Sequence, residues 1–165
     1  MPEYDAVHSQ SPETYLFLGV QIKILLSHRQ TGGQFTLVEG IVPPGGDGGL
    51  HVHDREDETM HPLEGALEVT IGPRLLTLNA GESYFAPRTV PHRLRNLGAV
   101  PARSILVTTP GGFDRFITRA GMKIEAGAPL PEFAPPTPEQ IGHLMTLAAE
   151  AGRSEEHTSE LQSLV

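Results

Sequence analysis

The sequence contains no cysteine and no tryptophan, and aromatic residues make up only 5% of its 165 residues. Without cysteine, disulfide bonds, thiol nucleophiles and cysteine-ligated zinc are excluded, so any metal must be held by nitrogen and oxygen atoms. The scarcity of aromatic residues predicts an aliphatic core. No apolar run is long enough to span a bilayer, and the first residues lack the basic start and apolar middle of a secretory signal, which predicts a cytoplasmic protein with no membrane partner.

Positive charge is also scarce, because 12 basic residues stand against 20 acidic ones and give a formal net charge of -8. A negatively charged protein repels the phosphate backbone of nucleic acids, which argues against nucleic acid as a partner. A small-molecule substrate held by a local metal is compatible with it. The length predicts one domain with a substantial core of its own.

Between residue 15 and residue 108 the chain alternates short apolar–polar stretches with glycine, proline and asparagine. This pattern is typical of half-buried β-strands joined by turns. The predicted strands are residues 15–27, 35–42, 67–71, 74–79, 81–86, 92–96 and 103–108. Because many short strands at regular spacing form sandwiches or closed barrels, the pattern predicts an all-β fold.

The two ends of the chain lack this strand pattern. Residues 1–14 are polar and aperiodic, which predicts a loose N-terminal arm before a barrel of residues 15–120. The last part of that barrel segment, residues 112–120, is predicted to form a short helix over one end of the barrel. In residues 121–152 a proline-rich connector is expected to precede a second helix.

The second predicted helix begins at a capping box, in which Thr137 is the N-cap and Gln140 lies three residues later. Its predicted apolar stripe consists of Ile141, Leu144, Met145 and Ala148. Residues 153–163, RSEEHTSELQS, look like the translation of a sequencing adapter, an artefact that would leave the natural C-terminus unknown. His157 is therefore not a candidate ligand.

Two histidines in the middle of the chain indicate a metal site. His51 and His53 are two residues apart in a β-like run, and since strand side chains alternate between faces, both imidazoles point the same way. Glycines before them allow a sharp turn into the run. An acidic cluster follows, and Asp57 and Glu58 compete to supply a carboxylate from the next strand.

Two spaced motifs contain these residues. The first, G-x5-H-x-H-x4-E-x6-G, consists of Gly45, His51, His53, Glu58 and Gly65. The second, G-x5-P-x-G-x2-H-x3-N, consists of Gly81, Pro87, His92 and Asn96, with Thr89 in place of its middle glycine. Together they resemble the paired signature motifs of the cupin superfamily, and the resemblance covers roughly residues 16–120. Glu58 is preferred over Asp57 because only Glu58 gives the count of six residues before Gly65.

The resemblance implies a double-stranded β-helix (jelly-roll) barrel with a short C-terminal helical extension. It also implies a divalent transition metal (Fe, Mn, Ni, Co or Zn) held by His51, His53, Glu58 and His92. Three imidazole nitrogens and one carboxylate oxygen indicate no preference among these metals, and they leave one or two coordination positions open.

A narrower resemblance, to bacterial quercetin (flavonol) 2,3-dioxygenase-like cupins, implies a metal-dependent dioxygenase. Its substrate would be a small flavonol-like or enolisable organic compound, with Glu58 as the catalytic base. A non-catalytic cupin that binds a metal or small molecule, and a cupin isomerase, remain open because the same four ligands serve them all. The family habit and the expected exposed edges of the N-terminal strands favour a homodimer.

Other residues near the motifs are expected to lie outside the site. By strand parity His61 faces away from it, toward a sheet or subunit contact, while Met60 and Pro62 face inward. Pro62 is also expected to interrupt its ladder, and Thr89 puts its turn in doubt because glycine there would allow a positive φ. The residues predicted on solvated or outer surfaces are Asp54, Glu56, Asp57, Arg93, Arg95, His8, His28 and His143. The predicted apolar walls of the site are Met60, Val69, Phe85, Leu94 and Leu106.

Overall fold

The computed structural model describes residue 8 and residues 11–152, so the suspected adapter segment lies outside the described residues. Within the described part, ten strands form two antiparallel sheets. The strands are β1 (Thr14–Phe17), β2 (Val20–Leu26), β3 (Thr36–Val42), β4 (Asp57–Glu64), β5 (Ala66–Ile71), β6 (Arg74–Asn79), β7 (Tyr84–Ala86), β8 (His92–Arg95), β9 (Ala102–Thr109) and β10 (Met122–Ile124). The helices are α1 (Phe113–Ala120) and α2 (Pro138–Gly152).

The two sheets form a jelly-roll barrel, which confirms the predicted all-β fold. Neighbouring strands follow the order β10-β1-β2-β3-β9-β4-β7 in the larger sheet and β6-β5-β8 in the smaller one. Buried and exposed residues alternate along the strands. In β9 the buried residues are Ala102, Ser104, Leu106 and Thr108. The core is mainly aliphatic, as predicted, with Val38, Leu67 and Val69 almost completely buried.

The first predicted strand is a hairpin, β1 and β2, instead of one long strand. Leu18 and Gly19 have φ values of 50° and 76°, the left-handed backbone that a two-residue hairpin turn of type I′ requires. Leucine is rare in such a turn, so the residue pattern does not reveal it.

Strand β10 lies in the segment predicted to be a connector. It pairs with β1, where Tyr15 is opposite Lys123. The N-terminal strands therefore have neighbours on both sides, and the edges of the larger sheet are β10 and β7. The expectation of exposed N-terminal edges is wrong, and the homodimer remains a prediction without that support.

Helix α1 confirms the predicted short helix after the last barrel strand. Its Ile117 is completely buried. Phe113 and Phe116 pack edge-on against Phe17 of β1, with ring centroids 6.2 and 5.8 Å away. The helix thus adds two aromatic rings to the interior of the barrel.

Asp114 ties the start of α1 to the larger sheet. It accepts hydrogen bonds from the main-chain N–H of His28 at 3.2 Å, from the ring Nδ1 of His28 at 2.7 Å and from Thr36 Oγ1 at 2.7 Å. On the other side of the ring, Arg115 Nε donates to His28 Nε2 at 2.7 Å. His28 lies outside the ligand cluster, as predicted, but it is only partly exposed because its ring is held between two residues of α1.

Helix α2 begins at the predicted capping box. Gln140 N donates to Thr137 Oγ1 at 3.2 Å, and Thr137 N donates to Gln140 Oε1 at 2.8 Å. The buried residues of this helix are Leu144, Leu147 and Ala148. The predicted stripe is wrong at Met145, which is 38% exposed. None of the helices in the described part of the chain is both long and apolar enough to cross a membrane.

Candidate metal centre

The candidate ligand residues come from both sheets. His51 lies in the irregular segment before β4, and its main chain makes two hydrogen bonds with His92, the first residue of β8 (2.9 and 2.8 Å). This contact is one of two isolated bridges in the segment, the other joining Asp47 to Arg95, so the predicted β-like run around His51 is not a regular strand. Glu58, the second residue of β4, points inward from the larger sheet and is 3% exposed. The site therefore lies between the two sheets.

The structure brings all four predicted ligand residues together. One donor atom from each of them lies within 4.8 Å of the other three. Glu58 Oε2 is 3.4 Å from His53 Nε2 and 3.5 Å from His92 Nε2. Donor atoms that bind one divalent metal at about 2.1 Å are roughly 3–4 Å apart. Small side-chain shifts would thus suffice to fit the cluster around one ion.

Two of the histidine rings are oriented by main-chain carbonyls. Nδ1 of His51 donates to the carbonyl of Gly49 at 3.0 Å, and Nδ1 of His92 donates to that of Val90 at 3.1 Å. Because a carbonyl only accepts, both rings carry a proton on Nδ1 and present Nε2 to the cluster. Nε2 of His92 is buried without a hydrogen-bond partner among the described residues. A buried, unpaired imidazole nitrogen of this kind fits a metal ligand.

Glu56 lies beside the third ring. His53 is 5% exposed, and its Nδ1 is 3.5 Å from Glu56 Oε2. The Glu56 side chain is only 16% exposed, and its other oxygen lies against Gly112, just before α1. The prediction of Glu56 as a solvated turn residue is therefore wrong. A carboxylate near the far nitrogen of a metal-binding histidine commonly orients the ring.

The two oxygens of Glu58 have different partners. Oε2 faces the histidines, while Oε1 accepts a hydrogen bond from the hydroxyl of Tyr84 on the neighbouring strand β7. Tyr84 is 6% exposed and is not among the residues predicted from the sequence. The predicted wall residue Phe85 instead points outward and is 57% exposed. Tyr84 and Phe85 are adjacent aromatic residues in a strand of three residues, so the sequence does not show which of them faces inward. This explains why Phe85 is predicted at the wall and Tyr84 is not.

Burial and neighbouring charges determine which groups in the cluster are protonated. Burial, together with the nearby His53 and His92, lowers the pKa of His51 to about 4, so its ring is neutral at neutral pH. Burial alone would raise the pKa of Glu58. The interactions with His53 and His92 outweigh this effect and hold the pKa of Glu58 well below its usual value. Burial and the Glu58 carboxylate raise the pKa of Tyr84 well above its usual value, so its hydroxyl remains a donor.

Asp57, the competing carboxylate, faces away from the cluster. The main-chain N–H of Arg88 donates to it at 2.8 Å and Arg88 Nη2 at 2.9 Å. These hydrogen bonds from Arg88 lower the pKa of Asp57 to about 2. As predicted, His61 faces outward, on the same side of β4 as Asp57. Its Nδ1 is 2.9 Å from Ser83 Oγ. Glu58 is thus the carboxylate that the strand turns inward.

The turn that delivers His92 is present despite the missing glycine. Thr89 has a φ of 68°, which is the left-handed conformation that glycine adopts without strain. Its N–H donates to the carbonyl of His53 at 2.7 Å. The turn therefore connects the two motifs directly, and threonine occupies it under strain.

The remaining motif and surface residues have structural contacts. Asn96 is 1% exposed and donates from Nδ2 to the carbonyls of Val42 at 2.9 Å and Val100 at 2.8 Å, so it ties the end of β3 to the loop before β9. Ladder pairing between β4 and β9 shifts register directly after Pro62, as predicted. The outer-face ion pairs are Arg93 with Asp47 and Arg95 with Glu68. The histidines predicted and found at the surface are His8 and His143.

An apolar cavity of about 130 Å³ lies beside the cluster. Its wall includes His51, His53 and Glu58, and all the other described residues that line it are apolar or glycine except Ser104. The aromatic residues of the wall are Phe17, Phe113 and Phe116. The predicted walls that line the cavity are Met60, Leu94 and Leu106, whereas Val69 is buried in the core.

Residues 38–108 match the sequence profile of the cupin domain, and the jelly-roll barrel agrees with it. The barrel is a cupin domain. Over 107 residues it is 29% identical to quercetin 2,3-dioxygenase of Bacillus subtilis, a match that covers 64% of this chain and 32% of that protein. Over 79 residues it is 30% identical to an uncharacterized protein of Methanocaldococcus jannaschii, covering 48% of this chain and 63% of the relative. The cupin chain thus spans less than two thirds of either relative.

Among solved structures, the cupin barrel is similar to a predicted oxalate decarboxylase from Thermotoga maritima. The TM-score is 0.56 and the identity 24%, and the match covers 64% of this chain and 98% of that one. This likeness shows a shared fold.

Proposed function

We propose that this cupin is a metal-dependent dioxygenase that acts on a small, largely apolar organic compound with one ionisable hydroxyl group. The observation that carries the proposal is an apolar cavity whose wall contains three of the four clustered ligand residues. The relative from Bacillus subtilis, a quercetin 2,3-dioxygenase, supports oxygen chemistry on an enolisable compound.

The proposed metal ligands are Nε2 of His51, His53 and His92 and Oε2 of Glu58. The ion would be Fe(II), Mn(II), Ni(II), Co(II) or Zn(II), because this donor set suits all of them. Bound there, it would supply Lewis acidity that lowers the pKa of a substrate hydroxyl, and open coordination positions.

The charge of the cavity wall supports a neutral substrate. Apart from Glu58 and the two histidines, no charged residue lines the cavity in the described part of the chain. The neighbouring arginines Arg93 and Arg95 lie on outer faces and are paired with carboxylates. A phosphate or a second carboxylate on the substrate would therefore be buried without a partner, which is strongly unfavourable. Sugar phosphates and dicarboxylates fit this cavity poorly, and so the isomerase alternative is disfavoured.

The size of the cavity supports a compound with a single ring. An apolar protein cavity of roughly 150 Å³ holds one benzene molecule. The volume here is about 130 Å³. A one-ring enol or phenol is of the same size class as this volume, whereas a three-ring flavonol would have to extend out through the open side of the cavity, so a flavonol is the informative comparison.

The chain's own residues would act at one end of the cavity. When it is released from the ion, Glu58 Oε2 would accept the proton of the substrate hydroxyl, as a buried carboxylate at the cavity wall. Phe113 lies edge-on to the His53 ring at 5.9 Å and, with Phe17 and Phe116, would place the substrate ring beside the cluster and exclude water.

Oxygen consumption tests the proposal. Protein loaded separately with each of the five metals is incubated with one-ring enols and phenols, a flavonol, oxalate and a sugar phosphate. The expected result is stoichiometric oxygen uptake with a neutral one-ring compound, loss of uptake in Glu58→Gln, and full uptake in the outward-facing control His61→Ala. Tight binding without turnover under any condition would favour the non-catalytic cupin, and turnover without oxygen would favour an isomerase. Either result would refute the dioxygenase.

A further inference from the structure

The carboxylate of Glu58 is held from both sides, and its two oxygens are not equivalent. Oε2 is 3.4 Å from His53 Nε2 and 3.5 Å from His92 Nε2, whereas Oε1 accepts the hydrogen bond from Tyr84. Carboxylates bind metals through one oxygen or through both. Which of these modes Glu58 adopts therefore depends on whether Oε1 is free to turn toward the ion.

Tyr84 is placed so that it can control this choice. Met60, two residues beyond Glu58 in β4, is directly opposite Tyr84 in β7, so the ladder determines where the phenol lies. The ring is 6% exposed, and Glu58 is the partner of its hydroxyl. If Oε1 rotated away, a buried hydroxyl would lose that partner, which opposes the rotation.

We infer that Tyr84 is a positioning residue that keeps Glu58 a one-oxygen ligand, with Oε1 held by the phenol and Oε2 alone directed at the metal. One more coordination position then stays open for substrate. The inference rests on the metal-binding part of the proposed function and is independent of the oxygen chemistry.

Cobalt(II) is a suitable probe because its visible absorption depends on coordination number and geometry. In Tyr84→Phe only the hydroxyl is removed, and Oε1 becomes free to join the ion. We expect weaker visible bands, typical of a higher coordination number, and roughly tenfold or more weaker cobalt binding, the usual effect of losing a partner that orients a ligand. An unchanged spectrum and affinity would overturn the inference.

Tyr15 offers a matched control in the same sheet. It is also 6% exposed, and its hydroxyl donates to a glutamate, Glu13, at 2.8 Å. Tyr15→Phe therefore removes the same kind of hydrogen bond away from the cluster. Its cobalt spectrum should equal that of the wild type, and the same change in both variants would overturn the inference by revealing a general loss of structure.

An infrared measurement on the wild type needs no variant to fold. The separation between the two carboxylate stretching bands differs between one-oxygen and two-oxygen ligands, and zinc-minus-apo difference spectra of protein with isotope-labelled glutamate report it. A one-oxygen pattern is expected, and a two-oxygen pattern would overturn the role of Tyr84. If wild-type protein binds neither cobalt nor zinc, the proposed function fails together with this inference. If the protein binds cobalt but the Tyr84→Phe spectrum and affinity are unchanged, only the inference is refuted.

Discussion

Replacing Thr89 by glycine should stabilise the protein. At a φ of 68° the threonine Cβ is crowded against its own backbone, at a cost of roughly 1–2 kcal/mol that glycine does not incur. Glycine, in turn, loses about 0.5–1 kcal/mol more backbone freedom on folding. Thr89 is exposed, and its N–H bond to the His53 carbonyl persists in glycine. The free energy of unfolding should therefore rise by about 0.5–1 kcal/mol, which corresponds to a Tm increase of roughly 1–4 °C.

Urea unfolding followed by circular dichroism measures this gain, with Thr89→Ala as the matched control. Alanine keeps a Cβ at the positive φ, so that variant should not gain the stability of the glycine variant. A Thr89→Gly protein less stable than the wild type would refute the idea that this turn is strained. Metal affinity should be unchanged in Thr89→Gly, since the contact with His53 is kept.

Three further predictions concern features outside the cluster. Asp114→Asn should lower the free energy of unfolding by about 1.5–3 kcal/mol, because the carboxylate accepts bonds from His28 and Thr36; equal urea midpoints would contradict this. Burial by itself would raise the pKa of Asp114, but the hydrogen bonds from His28 and Thr36 hold that pKa below its usual value. The difference in unfolding free energy between wild type and variant should therefore be constant from pH 5 to 7 and shrink below about pH 4, where the carboxylate becomes protonated. A difference that persists unchanged into acid would contradict the role of the charged Asp114 carboxylate in these hydrogen bonds. His61→Ala should retain as much metal as the wild type, because His61 faces Ser83 on the outer surface, and a loss would mean that His61 is a ligand. The homodimer would appear in light scattering as twice the 17.8 kDa of the chain, and a monomer would end that prediction.

The fold and the ligand set could be predicted because both depend on patterns within short stretches of the sequence. Short stretches of alternating apolar and polar residues, separated by turn residues, indicate a β-sandwich or β-barrel without any knowledge of which strands pair. His51, His53, Glu58 and His92 are recognisable because their spacing matches the paired cupin motifs. The choice of Glu58 over Asp57 needed only the motif's count of six residues before Gly65, and the structure places the two carboxylates on opposite faces of β4.

The missed features depend on contacts between segments distant in sequence. Tyr84 acquires its partner through the pairing of β7 with β4, and Glu56 turns inward beside a ring and a glycine from another element. His28 is tied to Asp114 across 86 residues. Strand β10 has three residues, too few to show alternation, and it exists because β1 offers an edge. No local pattern carries these contacts.

Metal retention tests the central claim, that His51, His53, Glu58 and His92 form one metal site, most directly. Wild-type protein and a His51→Ala, His53→Ala double variant are purified side by side, and the metal content of each is measured by elemental analysis, with circular dichroism to verify folding. The wild type should retain close to one divalent transition metal per chain, and the folded double variant close to none. Equal metal content in the two proteins would contradict the site.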